Sequence, residues 1–333
     1  MHNISRRRFG QHTLGGALGL ASSIALPGVA FAQAGMTDLI VAEPVHSTGY
    51  LPLYVAINQG YFKDEKINLK ILTVESGSGH TNAVLTKQAF AFIGGPEHNA
   101  FAKAKGAELR AVVNVVNRGN VYLVARKGTS PKDKNYAAYM KGKRVATGFY
   151  GGTPNSITRY LLKEWGLQNT DVELQELSNA AGLAAIKSGN ADIAVVTEPL
   201  LTRGVREGLW DEPFFNIPME LGDYAYSTLN VRKESIDTDP QIVAGFVRAV
   251  VKGLKATYAN PTMAAEVAKK EFPTMALDDM KATIDRSFAD SIWSKDGKIA
   301  PAAWTLGSKV VRAANILKTD VGYSEIIDTR YVS

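Results

Sequence analysis

Short apolar runs alternate with helical patterns from residue 37 to about residue 100. The runs at residues 39–42, 69–74 and 90–93 have the length of strands, and residues 53–59 and 81–86 between them have helical spacing. Gly60 stands where a glycine typically ends a helix. This alternation predicts a largely parallel sheet with helices on both faces.

The same pattern recurs after residue 140. Residues 143–146, 172–177 and 193–196 are predicted strands, and residues 156–165 and 182–187 are predicted helices. Some similar positions in the two stretches, such as Glu97 and Glu198, are 101 residues apart. The chain is therefore expected to contain two α/β halves of similar plan.

The region after residue 227 is mainly helical. A strand is predicted at residues 227–231, followed by helices at 241–258, 261–271, 277–287 and 301–317. Pro240 and Pro261 suit the first position of a helix, where a missing N–H costs nothing. Since this region has no sheet of its own, it is expected to pack on one of the two halves.

The first 34 residues have the pattern of an export signal. Arg6 and Arg7 precede a glycine-rich apolar stretch, and the small residues of an A-x-A site follow at 30–34. The arginines resemble a twin-arginine signal, which predicts transport by the twin-arginine translocase and cleavage near Ala32 or Ala34. An N-terminal membrane anchor is the alternative, but Pro27 interrupts the stretch well short of the about 20 apolar residues that span a bilayer. The expected location is the periplasm.

Composition excludes several classes of protein. The 333 residues include no Cys, which rules out disulfides, thiolate metal sites, a Cys nucleophile and a thiol-linked lipid anchor. The formal charge of +6 includes three arginines at residues 6–8, and no acidic residue precedes Asp38. Removal of residues 1–34 leaves 35 basic and 32 acidic residues, a net charge of +3. Nucleic acid is therefore not an expected partner.

Five motifs occur in an order that resembles one protein family. They are residues 51–62, 141–146, 184–193 (with Gly189 and Asp192), 197–199 (Thr-Glu-Pro) and 227–231. In this order they resemble the periplasmic solute-binding proteins for sulfonates, nitrate, taurine and thiamine pyrimidine precursors. The resemblance extends from about residue 37 to residue 331, with one departure, because Gln88 and Ala91 stand where the second half has Gly189 and Asp192.

The resemblance implies an α/β fold of the periplasmic binding protein type II class, with two α/β lobes joined by two crossing strands. Lobe 1 would comprise residues 35–125 and 223–333, and lobe 2 residues 126–222. The lobes would close on a small molecule like a hinge. A monomer of this kind delivers its ligand to the permease of an importer driven by an ATPase, and it has no cofactor and no catalytic residues.

Ligands of open α/β sheets bind beyond the carboxyl ends of the strands. Loops at those positions supply the predicted ligand-binding residues Glu43, His46, Tyr50, Ser78, His80, Glu97, His98, Tyr150, Thr153, Asn179 and Glu198. Tyr226 is added to this set as an aromatic residue that could stack on a ring. His46, His80 and His98 are the only histidines after residue 34. They could bind a transition metal, but their spacings match no recognised metal motif, so contact with an organic ligand is favoured.

The charges in these loops indicate the type of ligand. Glu43, Glu97 and Glu198 would accept hydrogen bonds from a nitrogenous heterocycle, such as a thiamine pyrimidine precursor, and Arg118 is the nearest basic residue. A small oxyanion would instead need donors around it. Aromatic residues could stack on a ring, namely Tyr50, Phe149, Tyr150, Tyr224 and Tyr226.

Two alternatives remain for the function. One is a binder of a sulfonate, nitrate or an aromatic carboxylate. The other belongs to a different class, a pyrimidine-synthesis enzyme of the same fold. Such enzymes rely on cysteine-containing motifs, and this chain contains no Cys. A binding protein is therefore expected rather than an enzyme.

Overall fold

A computed structural model describes residues 35–332. The predicted signal segment and its cleavage site lie outside the described residues. The strands are β1 (Thr37–Glu43), β2 (Ile67–Thr73), β3 (Ala91–Gly94), β4 (Leu109–Arg118), β5 (Tyr122–Ala125), β6 (Arg144–Thr147), β7 (Glu173–Glu176), β8 (Ile193–Val196), β9 (Phe215–Asn216) and β10 (Asp223–Arg232).

The helices occur in every part of the described chain. They are α1 (Leu51–Asn58), α2 (Tyr61–Asp64), α3 (Gly79–Leu85), α4 (Glu97–Lys103), α5 (Tyr136–Met140), α6 (Thr153–Glu164), α7 (Asn179–Lys187), α8 (Leu200–Arg206), α9 (Ile217–Leu221), α10 (Lys233–Thr238), α11 (Pro240–Ala259), α12 (Pro261–Glu271), α13 (Leu277–Ala289), α14 (Pro301–Ala313) and α15 (Tyr323–Ile326). In the described chain, no helix combines the length and apolar character that crossing a bilayer requires.

The strands form two five-stranded sheets of the same plan. The first sheet has the order β2-β1-β3-β10-β4, and the second has the order β7-β6-β8-β5-β9. In each sheet three parallel strands are extended by two strands in antiparallel pairing. The predicted α/β fold with two similar halves is confirmed, and each sheet is mixed rather than fully parallel.

Two segments connect the sheets. The chain leaves the first sheet after β4 and enters β5, and it returns from β9 through α9 to β10. Gly119 lies in the first connection, where a Cβ would come within 2.8 Å of the Ile217 side chain, so the close approach requires a glycine. The boundary predicted at residue 125 assigns β5 to the first lobe, but β5 pairs with β8 and β9 in the second sheet.

Strands β4 and β5 are elements that the sequence pattern did not indicate. All four residues of β5 are buried, as are most residues of β4. Strands covered on both faces have no alternation of polar and apolar positions, so their period of two is hidden.

The C-terminal helices pack mainly on the first sheet, as expected for a region without its own sheet. Helix α11 packs on α1 and α2, and the ring of Phe246 on α11 lies 5.5 Å from the ring of Phe62 on α2 between centroids. Helix α14 contacts β10 and also α6 beside the second sheet. It ends at Ala313 rather than at the predicted residue 317, and Asn315 follows with a φ of 59°. These contacts bring the two sheets together around one cleft.

Candidate ligand-binding site

A cavity of about 340 Å³ lies between the two sheets. It is lined by the loops after β1, β2 and β3 of the first sheet and by those after β6, β7 and β8 of the second. These loops follow the carboxyl ends of the parallel strands, as the rule for open α/β sheets predicts. Seven of the predicted residues line the cavity: His46, Tyr50, His80, His98, Thr153, Asn179 and Tyr226.

His80 and His98 form part of the cavity wall on the side of the first sheet. Their rings meet edge to face with centroids 4.6 Å apart, and both residues are almost fully buried. Burial, with a smaller contribution from His98, holds the pKa of His80 well below its usual value. Burial lowers the pKa of His98 to about 4. Both imidazoles are therefore neutral at pH 7.

His46 lines the cavity from the loop after β1, and its ring lies against that of Phe272 with the centroids 4.6 Å apart and the planes tilted by 33°. Its Nδ1 lies 2.9 Å from Oε1 of Glu43 and 3.0 Å from the Tyr54 hydroxyl. Burial acts to lower the pKa of His46, but the hydrogen bond and the charge of Glu43, together with Glu271, outweigh it, so the pKa is raised. This histidine is the one in the cavity that can carry a positive charge.

Glu43 does not line the cavity, contrary to the expectation that its carboxylate faces the ligand. Its side chain is fully buried and accepts hydrogen bonds from Tyr54 at 2.6 Å and from Thr73 at 2.8 Å. The carboxylate is therefore used by the protein itself, and it orients His46.

Glu198 is also absent from the cavity wall and has structural partners. It accepts hydrogen bonds from the backbone N–H of Thr202 at 3.0 Å and its hydroxyl at 2.7 Å, at the start of α8. The Arg286 guanidinium on α13 lies 3.0 Å from the same carboxylate. Burial raises the pKa of Glu198 despite these partners. Glu198 thus fixes α8 and links it to α13.

Glu97 is the third carboxylate that lies behind the cavity wall. It is fully buried, and Thr153 donates a hydrogen bond to its Oε1 at 2.5 Å. Its Oε2 has no partner among the residues that the structure describes. Burial raises the pKa of Glu97 to about 7. None of the three predicted glutamates lines this cavity, because each side chain is buried against other residues.

Ser78 and Tyr150 lie outside the cavity as well. Ser78 is exposed, and Ser76 instead accepts a hydrogen bond from the N–H of Gly79. Tyr150 is 53% exposed with the Arg159 guanidinium over its ring. Phe149 lines the cavity in its place, whereas Tyr224 is buried and is absent from the lining.

The basic side chain at the cavity is Arg203 rather than Arg118. Arg118 lies at the first connection between the sheets, 3.6 Å from Asp223. Arg203 on α8 lines the cavity, and its Nε donates a hydrogen bond to Glu207 at 2.6 Å. Sequence reasoning missed Arg203 because it lies in a helix and not in a loop after a strand.

Sequence reasoning also missed the segment between α12 and α13. Phe272, Thr274 and Met275 of this segment line the cavity. No strand ends near them, so the strand-end rule could not identify them. Across residues 35–332, no cluster of three or more His, Cys, Asp or Glu side chains is arranged to hold a metal ion.

Residues 47–264 match the family model described as "NMT1/THI5 like", and the chain belongs to that family. YtlA of Bacillus subtilis, named only as a candidate binding protein, is 23% identical over 299 residues, or 88% of each chain. The riboflavin-binding protein RibY of Chloroflexus aurantiacus is 24% identical, with 85% of this chain and 82% of the relative covered.

An enzyme is also among the relatives. The 4-amino-5-hydroxymethyl-2-methylpyrimidine phosphate synthase of Uromyces fabae is 26% identical over 73% of each chain.

Among solved structures, the alkanesulfonate-binding protein SsuA from Xanthomonas axonopodis pv. citri, bound to MOPS, has a TM-score of 0.73 at 15% identity. The alignment covers 89% of this chain and 99% of that one. This structural similarity establishes the periplasmic binding protein fold.

Proposed function

We propose that this protein is the periplasmic solute-binding component of an ATP-driven importer and that it binds a small neutral nitrogenous heterocycle. The observation that carries the proposal is the lining of the cavity between the sheets. Neutral His80 and His98 and the rings of Tyr226, Phe149 and Phe272 line it, while the predicted glutamates lie behind the wall. Aromatic and apolar walls with few polar groups are typical of small-molecule sites.

The size of the cavity supports a small ligand. Its volume of about 340 Å³ lies near the lower end of the range of about 300–1,000 Å³ for such sites. Two relatives are named for nitrogenous ring compounds, a flavin and a pyrimidine. The proposed ligand is therefore a pyrimidine or a related ring compound.

A sulfonate is the second candidate ligand. Arg203 at the cavity favours it, because a guanidinium can bind an oxyanion through two parallel hydrogen bonds. SsuA, which shares the fold, is named for alkanesulfonate. Glu207 already occupies the Arg203 Nε, however, which reduces the donors available to an anion.

Thermal unfolding with a panel of compounds distinguishes between the candidate ligands. Residues 35–333 would be unfolded in urea, refolded without ligand, and heated with 4-amino-5-hydroxymethyl-2-methylpyrimidine, riboflavin, taurine, ethanesulfonate or nitrate. A ligand at 100 times its Kd stabilises a folded protein by about 2.7 kcal/mol, so a binder raises the melting temperature. We expect the pyrimidine or the flavin to do so. Stabilisation by the sulfonates alone would contradict the proposal.

Two further measurements address the class of protein and its location. A binding protein returns the bound compound unchanged, so mass spectrometry before and after incubation should detect no product. Turnover of the compound would favour the synthase class.

Replacement of Arg6 and Arg7 by Lys should prevent export of the full chain, and unchanged periplasmic levels would contradict the twin-arginine route.

A further inference from the structure

Gly77, in the loop after β2, lies against the backbone of the loop after β6 on the opposite side of the cleft. A Cβ at Gly77 would be 2.1 Å from the carbonyl oxygen of Tyr150 and 3.6 Å from the backbone nitrogen of Gly152. Gly77 and Gly152 both line the cavity, so this contact forms part of its wall. The two sides of the cleft therefore meet at Gly77 without room for a side chain.

The backbone conformation of Gly77 does not itself require a glycine. Its φ is not positive, and only a positive φ favours glycine over other residues. The loop is held on its own side by hydrogen bonds from the Val74 N–H to the Glu43 carbonyl and from the Gly79 N–H to the Ser76 hydroxyl. The three atoms nearest to a Cβ at Gly77 all belong to the opposite loop. An alanine would therefore be excluded by the opposite side of the cleft and not by its own loop.

The loop after β6 has little freedom to move away from Gly77. The nearest atom is a backbone carbonyl oxygen, so no change of side-chain rotamer relieves the overlap. The Gly152 N–H donates a hydrogen bond to the Phe149 carbonyl, and the Asn155 side chain donates one to the Gly148 carbonyl. The two sides of the cleft would have to separate by about 1 Å or more to turn the overlap into an ordinary contact.

We propose that Gly77 is a positioning residue for ligand binding, because the absence of a side chain there allows the two sides of the cleft to close over the ligand. The inference rests on the proposed function and extends it, since it identifies a residue on which enclosure of the ligand depends. Thr153, near Tyr150, donates a hydrogen bond to Glu97 across the same cleft. Phe149 of the same loop lines the cavity. Separation at Gly77 would therefore weaken that hydrogen bond and admit water beside Phe149.

Gly77→Ala and Gly77→Val test the proposal against a matched control. Gly182→Ala adds the same methyl group at a buried glycine of α7, where a Cβ would be 3.5 Å from Ala146 on the same side of the cleft, an ordinary contact. Isothermal titration calorimetry measures binding of 4-amino-5-hydroxymethyl-2-methylpyrimidine and of ethanesulfonate. Urea unfolding of each free variant measures any loss of folding separately.

Distances between two spin labels measure closure directly. The chain contains no Cys, so Gln88→Cys and Lys187→Cys introduce two thiols that can be labelled selectively. Both residues are exposed, and they lie on opposite sides of the cleft, near the end of α3 and at the end of α7. Pulsed electron paramagnetic resonance then gives the distance with and without each probe.

Gly77→Ala should unfold at the same urea concentration as the wild type but bind the pyrimidine about tenfold to a hundredfold more weakly, because overpacking penalises the closed arrangement. Gly77→Val should bind more weakly still, and Gly182→Ala should bind like the wild type. The pyrimidine should shorten the label distance in the wild type and in Gly182→Ala but not in the Gly77 variants.

Wild-type affinity of Gly77→Ala, with the same shortening of the label distance, would overturn the inference while the proposed function stands. Unfolding of Gly77→Ala at a lower urea concentration would also contradict it, because glycine would then be needed within the loop itself. If the wild type binds ethanesulfonate and not the pyrimidine, the proposed function fails, and the same variants compared with ethanesulfonate decide the inference. If neither probe binds, the label distance of the free proteins decides it, since a side chain at Gly77 should lengthen that distance.

Discussion

The hydroxyl of Thr153 donates a hydrogen bond to Oε1 of Glu97 over 2.5 Å and thereby links the two sides of the cleft. Thr153 is the first residue of α6, which follows β6 of the second sheet. Glu97 is the first residue of α4, which follows β3 of the first sheet. Glu97 is fully buried, and its Oε2 is unpartnered in the described chain. The protonation state of this carboxyl group therefore affects the contact between the two sides of the cleft.

Replacement of Glu97 by Gln should change how stability depends on pH. Burial raises the pKa of Glu97 from 4.5 to about 7, so the folded protein holds this proton more tightly than the unfolded chain. Its contribution to the free energy of unfolding is greatest below pH 4.5 and is lost as the pH rises through 7. The rise in pKa corresponds to about 3 kcal/mol in the free energy of unfolding. Urea unfolding at pH 5, 6, 7 and 8 measures it.

Relative to the Glu97→Gln variant, the wild type should therefore lose stability between pH 5 and pH 8. The pKa of His98, lowered to about 4, acts in the opposite sense, because its contribution is lost as the pH falls from 6.5 toward 4. Both proteins contain this histidine, so its effect cancels in the difference. A difference that does not vary with pH would show that Glu97 does not titrate in this range.

Thr153→Val removes the hydrogen bond across the cleft. At pH 8 the loss of a hydrogen bond to a charged carboxylate should cost about 1.5–3 kcal/mol. The free protein should open further, which small-angle X-ray scattering would detect as a larger radius of gyration. Thr158→Val is the matched control, since the Thr158 hydroxyl bonds to Thr147 and Pro154 beside the same sheet. An equal increase in both variants would contradict a role specific to Thr153.

Glu198→Ala should destabilise the protein without a specific loss of binding. The change removes the acceptor of the Thr202 groups and leaves the Arg286 guanidinium without this partner. Because Arg286 is partly exposed and keeps Glu212 at 2.8 Å, the main cost is the unpaired Thr202 groups, at about 1–3 kcal/mol for a buried group left without a partner. Urea unfolding measures the cost, and calorimetry below the transition measures binding.

Glu164→Ala is the control for that variant. Glu164 is exposed and pairs with Lys309 at 3.4 Å, so its loss should cost less than about 1 kcal/mol. If Glu198→Ala unfolds like the wild type but no longer binds the pyrimidine, Glu198 contacts the ligand after all.

Phe272→Ala should weaken the binding of an aromatic ligand. The Phe272 ring lines the cavity and lies against that of His46. Aromatic pairs contribute about 0.5–1.5 kcal/mol beyond the area they bury, so Kd should rise about twofold to tenfold. Leu277→Ala serves as the control because Leu277 is 63% exposed and is absent from the cavity lining. Equal affinities for the two variants would exclude stacking by Phe272.

Much of the fold follows from local patterns. The predicted strands at residues 39–42 and 193–196 fall within β1 and match β8, and the prolines Pro240 and Pro261 begin α11 and α12 as expected. Such elements are encoded by neighbours a few residues apart. Strand β5 could not be assigned to a sheet in this way, because its partners β8 and β9 lie far along the chain.

The candidate site also has a part that local sequence patterns predict and a part that they do not. The sequence by itself determined which loops meet at the cleft, because parallel strands of one sheet end at one edge. Only the tertiary structure decided which side chains reach the cavity. Glu43 ends β1, and Glu97 and Glu198 follow β3 and β8 as predicted, but their buried carboxylates bind Tyr54, Thr153 and Arg286. A carboxylate is costly to bury without partners, and those partners lie 11, 56 and 88 residues away, beyond the range of any local pattern.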